Sequence, residues 1–195
     1  MDKLIITIGR QYGSGGREVG RALAKSLNIP CYDKELLAIV AKESGFSEEV
    51  LASYDEKAVN NFYYFQAGIY SGTQLPLHHQ LFIAQLNTIK EIAERESCVF
   101  IGRCADYVLS DHPNCVNVFI QSDKESRMKR AISDYGIAEK DAKKVIHKID
   151  KQREAYYNFY STKKWGELVN YHLSIDSSIG IENTAKLIES YIAMR

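Results

Sequence analysis

At 195 residues, 45% of them apolar, the chain can build one ordinary domain around a core, which excludes a disordered protein. Its 25 basic residues balance 25 acidic ones, so no whole-molecule field draws it to nucleic acid or an anionic membrane. Any anion site must be local. Cys31, Cys98, Cys104 and Cys115 have no C-x-x-C spacing and read as buried free thiols of a reducing compartment.

Leu4–Gly9 is an apolar, β-branched run, the pattern of a strand buried on both faces of a parallel sheet. A strand this early leaves no room for a secretory leader, and no apolar run reaches membrane-spanning length, so a soluble cytoplasmic protein is expected. From Arg17 the period changes: Val19, Leu23 and Leu27 recur every four residues, predicting an amphipathic helix over 17–28. Ile29–Tyr32 reads as a short second strand, with Asp33 at its carboxyl end able to cap the next helix.

Residues 34–96 show no convincing strand and several helical stretches. Within them NNFYYFQAGIYSGTQLPLHHQ, rich in aromatics and carrying Gly68, Gly72 and Pro76, is either a substrate-covering segment or a surface hairpin with inward aromatics. CVFIGR (98–103) and CVNVFIQ (115–121) are further buried strands. Ser122–Tyr135 reads as a helix capped by Ser122 or Asp123, EKDAKKVIHKIDKQREAYYNFY as a longer polar helix, YHLSIDSS (171–178) as a last strand and IENTAKLIESYI as a last helix. Such alternation predicts a parallel α/β sheet with helices on both faces.

The junction of the first strand and helix, GRQYGSGGRE, has four glycines among eight residues. Glycines adopt the positive φ that turns successive N–H groups toward one centre, and a helix N-terminus adds roughly half a positive charge, so the junction suits phosphate. A lysine-bearing loop reads G-x-x-x-x-G-K-[ST], and here that lysine is missing. In one register Gly16 stands at the lysine position and Arg17 at Ser/Thr; shifted by one, Arg17 takes the lysine position and Glu18 the next. Gly13, Ser14, Gly15, Gly16 and Arg17 are thus candidate phosphate ligands, with Glu18 a candidate for Mg²⁺ or for favouring the helix N-terminus. The alternative is a plain strand-to-helix turn.

ITIGRQYGSGGREVGRALA, IPCYDKELL, CVFIGRCADYVL, VNVFIQSDKESRMKRAI, DKQREAYYNFYSTKKWG and YHLSIDSSIGIENTAKLI together resemble the cytidylate kinase-like family of P-loop nucleoside monophosphate kinases. In that family GSGGRE looks like the usual replacement for the lysine loop. The resemblance implies a P-loop-type parallel sheet flanked by helices, with core residues 1–33 and 97–136, a helical acceptor-binding insertion at 34–96, a lid at 137–166 and a C-terminal core strand and helix at 167–195. It implies ATP and Mg²⁺ as cofactors and a nucleoside monophosphate, CMP or dCMP first, as acceptor; monomer or weak homodimer is expected, without nucleic-acid or membrane partners.

By the same resemblance Arg103 meets the monophosphate or transferring phosphoryl group, Arg127 and Arg130 stand at the lid base near the ATP phosphates, and Arg153 is a lid arginine. Asp33 falls near Mg²⁺ or the acceptor. The family's G-R-D signature becomes GRCAD here, which displaces the aspartate by two residues to Asp106 on the acceptor side. Arg17, Arg103 and Arg153 form the candidate catalytic set, because phosphoryl transfer is driven by alignment and charge neutralisation. The bland readings are a solvated helix face for Arg127 and Arg130, a helical pair with Asp150 or Glu154 for Arg153, and packing for Tyr156, Tyr157, Tyr160 and Trp165. A kinase with another small acceptor and a catalytically impaired nucleotide sensor are the alternative functions.

Overall fold

The structure, a computed structural model, describes residues 3–55 and 75–195, so most of the aromatic-rich stretch falls outside the described residues. Strand β1 (Ile5–Arg10) leads into helix α1 (Gly16–Leu27), then β2 (Cys31–Tyr32), α2 (Glu35–Ser44) and α3 (Glu48–Tyr54). After the undescribed segment come α4 (Leu77–Arg95), β3 (Cys98–Ile101), the short α5 (Ala105–Val108) and β4 (Cys115–Gln121). The chain ends with α6 (Lys124–Ser133), α7 (Glu139–Tyr160), β5 (Leu173–Asp176) and α8 (Ile181–Ala193). Among the described residues no helix is long and apolar enough to cross a membrane.

The five strands are parallel, in the order β2-β3-β1-β4-β5. The parallel arrangement agrees with the sequence pattern, because strands buried on both faces need crossover helices on both sides. Period-two alternation then assigns each side chain to one of two cores. Ile6, Ile8, Val99, Ile101, Val118 and Ile120 pack with Val19 and Leu23 of α1 and Ile188 of α8. Ile5, Cys98, Phe100 and Cys115 pack on the other face with Leu36 and Val40 of α2 and Ile89 and Ile92 of α4. Thr7 also points to this second face, and its hydroxyl donates to Asn117 Oδ1 at 2.8 Å, which satisfies a buried polar pair.

The cysteines are free thiols, Cys98, Cys104 and Cys115 buried and Cys31 half-buried. Burial pushes the thiols of Cys98 and Cys115 up to about 12, which keeps both protonated and inert near neutral pH. Because β1 has β3 on one side and β4 on the other, the chain leaves the sheet in opposite directions beside its carboxyl end. Open α/β sheets form their ligand crevice at such a switch point, and the glycine loop of this chain stands there.

Candidate active site at the glycine loop

Gly13 and Gly15 have φ of +79° and +76°, the left-handed conformation that glycine adopts without strain. Gly13 also has no room for a side chain, since a Cβ there would lie 2.6 Å from the carbonyl oxygen of Arg127. The loop carbonyls are held from outside. Tyr12 O accepts from Arg127 Nε at 2.7 Å, Gly13 O from Arg130 Nη1 at 2.9 Å, and Ser14 O from the Ser177 hydroxyl. In a planar trans peptide the C=O and the following N–H point opposite ways, so these bonds turn the N–H groups of Gly13 and Gly15 away from their supports, while the Ser14 N–H donates to Gln11 O at 3.4 Å.

Beside the loop lies a cavity of about 200 Å³, lined by Gly13, Gly15, Gly16, Arg17, Arg10 and Arg153 together with Gln11, Tyr12 and Tyr135. Ser14 is buried, with its hydroxyl donating to Gln11 O at 2.9 Å, and serves the turn itself. Arg127 and Arg130 support the loop through its carbonyls. Arg127, itself buried, also forms an ion pair with half-buried Asp150 of α7, whose other carboxylate oxygen accepts from Tyr12 N at 2.7 Å. One arginine and one aspartate thereby grip both polar groups of Tyr12.

Glu154 is held by Lys151 at 2.7 Å, and Arg153 stands one helical turn beyond Asp150. The Arg153 guanidinium donates to Arg10 O at 3.2 Å and lies 5.8 Å from the Tyr12 ring centre. The Tyr12 ring in turn tilts against Tyr135 at 5.4 Å. Glu18, in the first turn of α1, accepts from the Tyr135 hydroxyl at 3.2 Å. Burial and the Glu18 carboxylate raise the Tyr135 phenol, which therefore stays a donor.

A second group forms around Asp33, which is 1% exposed. Arg17 Nε stands 2.5 Å from its Oδ2, Arg103 Nη1 3.5 Å from its Oδ1 and Arg21 Nη2 3.7 Å from its Oδ2. This corrects the expectation that Asp33 caps the following helix: Lys34 is the N-cap residue of α2, with no side-chain capping bond. Three guanidiniums outcompete the single amide bond a cap would make. The cluster draws Arg17 to a carboxylate beside the loop.

Arg103, 3% exposed, grips Asp55 bidentately, Nε to Oδ1 at 3.0 Å and Nη2 to Oδ2 at 2.8 Å, and donates to Ile101 O at 3.1 Å. Gly102, Arg103 and Cys104 all have positive φ, at 73°, 57° and 56°. Left-handed backbone costs a non-glycine residue about 1–2 kcal/mol, so two such residues in succession mark a turn that the surrounding contacts must hold. The turn curls Arg103 back over the carboxyl end of β3.

Asp106 is buried beyond this turn and accepts from the Tyr157 hydroxyl at 2.7 Å. Burial raises its carboxyl above the ordinary range, opposed by the Tyr157 hydrogen bond and by Lys163. It borders a second cavity of about 20 Å³, which also meets Arg10, Arg103, Arg153, Trp165 and Tyr171. That volume admits one water-sized group. The two cavities share Arg10 and Arg153. Arg10, Asp55 and the anchoring role of Asp150 were missed in the sequence, because each depends on partners far along the chain.

The fold and the loop together define a P-loop-type α/β kinase fold. The sequence pattern of the cytidylate kinase-like family matches residues 5–179, and the chain belongs to that family. No curated protein matches it. An uncharacterized protein from Eubacterium ventriosum ATCC 27560 superposes with a TM-score of 0.77 at 35% identity, covering 99% of this chain and 100% of that one. More distant relatives share the fold alone. The shikimate kinase from Bacteroides thetaiotaomicron has a TM-score of 0.57 at 14% identity, covering 97% of this chain and 98% of its own. The gluconokinase from Sinorhizobium meliloti 1021 also has a TM-score of 0.57, at 16% identity, covering 99% and 93%.

Proposed function

We propose that this protein transfers the γ-phosphoryl group of MgATP to a small acceptor, with a nucleoside monophosphate, CMP or dCMP first, as the acceptor class. The observation that carries the reading is the convergence of guanidiniums at the glycine loop: Arg10 and Arg153 line both the cavity at the loop and a water-sized void beside Arg103. A phosphoryl group leaving a donor at the loop and reaching an acceptor beside Arg103 would pass these guanidiniums. The bond from the γ-phosphorus to the bridging oxygen breaks as one to the acceptor oxygen forms, and fixed positive charge neutralises the equatorial oxygens meanwhile.

In this reading residues 34–96 frame the acceptor and residues 137–166 act as a lid. Mg²⁺ would come with the ATP phosphates and supply charge neutralisation. Glu18 fits it better than Asp33, because Glu18 has one tyrosine donor whereas Asp33 already faces three guanidiniums. A phosphate acceptor is ionised at neutral pH and needs no base. The second reading, a hydroxyl acceptor, is favoured by one observation: Asp106 is a carboxylate in the second cavity, where it could take a hydroxyl proton.

Asp106→Asn separates the two. With a phosphate acceptor, kcat should stay near wild type; with a hydroxyl acceptor it should fall about a hundredfold or more. Steady-state kinetics on both acceptor classes gives the answer. The same variant has a stability signature. Because the folded carboxyl holds its proton more tightly than the unfolded one, wild-type stability should decline as pH rises from about 3.9 through the raised folded value. Asp106→Asn should flatten that decline in urea melts across the acidic range, and an unchanged slope would contradict the buried-carboxyl account.

A further inference from the structure

We infer that Arg10 is the cation of the glycine loop, replacing the missing lysine and contacting the nucleotide phosphates; the inference rests on the phosphotransfer reading above. Arg10 is the last residue of β1 and only 6% exposed, so its guanidinium is held inside the site. A guanidinium keeps its charge when buried, which a lysine does not reliably do. It lines both cavities, with the loop glycines on one side and Arg103 and Asp106 on the other.

The decisive contact is with Gly16. A Cβ built on Gly16 would lie 2.5 Å from Arg10 Cβ and 3.2 Å from Arg10 Cγ. No real pair of carbons tolerates the shorter distance, so the Arg10 side chain occupies the space that any side chain at 16 would need. In the register that preserves strand and helix, position 16 is where a lysine loop carries its lysine. The arginine at 10 and the glycine at 16 are therefore one exchange: the cation has moved from the helix start to the strand end, and the helix start has lost its side chain to admit it.

Arg17 suits the task less well. It reaches the loop cavity, but its Nε lies 2.5 Å from Asp33, which compensates its charge. Its side chain is also 37% exposed, so water screens it further. Arg153 arrives from α7 and lines both cavities too, where it donates to the Arg10 carbonyl and lies against the Tyr12 ring, so it stands as a second cation beside Arg10.

The test is equilibrium binding of MgATP and of adenosine, by calorimetry, to wild type, Arg10→Gln, Arg10→Gly and the double variant Arg10→Gly with Gly16→Lys, each checked for native circular dichroism. Arg10→Gln should weaken MgATP by at least about tenfold and leave adenosine unchanged, as expected for a lost charge-assisted bond. The double variant should regain MgATP affinity over Arg10→Gly. Should Arg10→Gln fail to fold, the double variant decides: a folded double variant that binds MgATP supports the exchange. Wild-type MgATP affinity in folded Arg10→Gln, or a folded double variant no better than Arg10→Gly, overturns the inference while the phosphotransfer reading stands. Wild-type protein that does not bind MgATP overturns both.

Discussion

Arg103→Ala is expected to lower kcat about a hundredfold or more while MgATP affinity stays near wild type. Arg103 lines the second cavity and not the loop cavity, so its loss should be felt in transfer and in the acceptor KM rather than in ATP binding. Its guanidinium holds Asp55 at 2.8 and 3.0 Å, a geometry that a phosphate could adopt in place of the carboxylate. An acceptor phosphate would therefore have to displace Asp55. Arg103→Lys keeps the charge but loses the planar fork, and should fall between wild type and alanine. Steady-state kinetics with a separate ATP titration distinguishes the outcomes, and unchanged kinetics in Arg103→Ala would confine this residue to structure.

The second large effect is on stability. Arg127→Ala removes the partner of half-buried Asp150 and the donor to Tyr12 O at one stroke. Breaking a fully buried ion pair from one side costs about 3–5 kcal/mol, against a total stability of about 5–15 kcal/mol for a domain, and this pair, whose aspartate is 17% exposed, should cost less than that full figure. Thermal and urea unfolding should both shift, and ATP affinity should fall at temperatures where the variant is still folded, because Tyr12 would lose the clamp on its carbonyl and its other clamp, Asp150, would lose its ion-pair partner. Asp150→Asn, which keeps an acceptor for Tyr12 N but loses the charge, should be milder. An Arg127→Ala protein as stable as wild type would refute the view that this pair anchors the loop to α7.

Much of the fold was legible because each strand and helix carries its own hydrophobic period. CVNVFIQ and EKDAKKVIHKIDKQREAYYNFY coincide with β4 and α7 end to end. Two apolar faces on β1, β3 and β4 require a sheet covered on both sides, so the parallel arrangement was legible, whereas the strand order was not. The glycine loop was legible for a similar reason, since only glycine adopts its backbone freely at Gly13 and Gly15.

The partners of the charged groups were not legible. Asp33 looked like a cap because it precedes a helix, and only the folded sheet brings Arg17, Arg21 and Arg103 to it. Asp150 read as a local partner for Arg153, whereas it meets Tyr12, 138 positions away. Arg10 lay just beyond the first strand as read from the sequence and was passed over. Its meaning lies in the missing side chain at Gly16, a steric relation that no spacing rule contains.

The measurement that bears most directly on the central claim is ADP release from MgATP by the purified protein against CMP, dCMP, UMP, AMP and GMP, with small hydroxyl acceptors and a no-acceptor control alongside. Release that depends on an acceptor, fastest with CMP or dCMP, is the predicted result. MgATP binding without release on any acceptor would contradict a phosphotransferase and leave a nucleotide sensor built on the same loop.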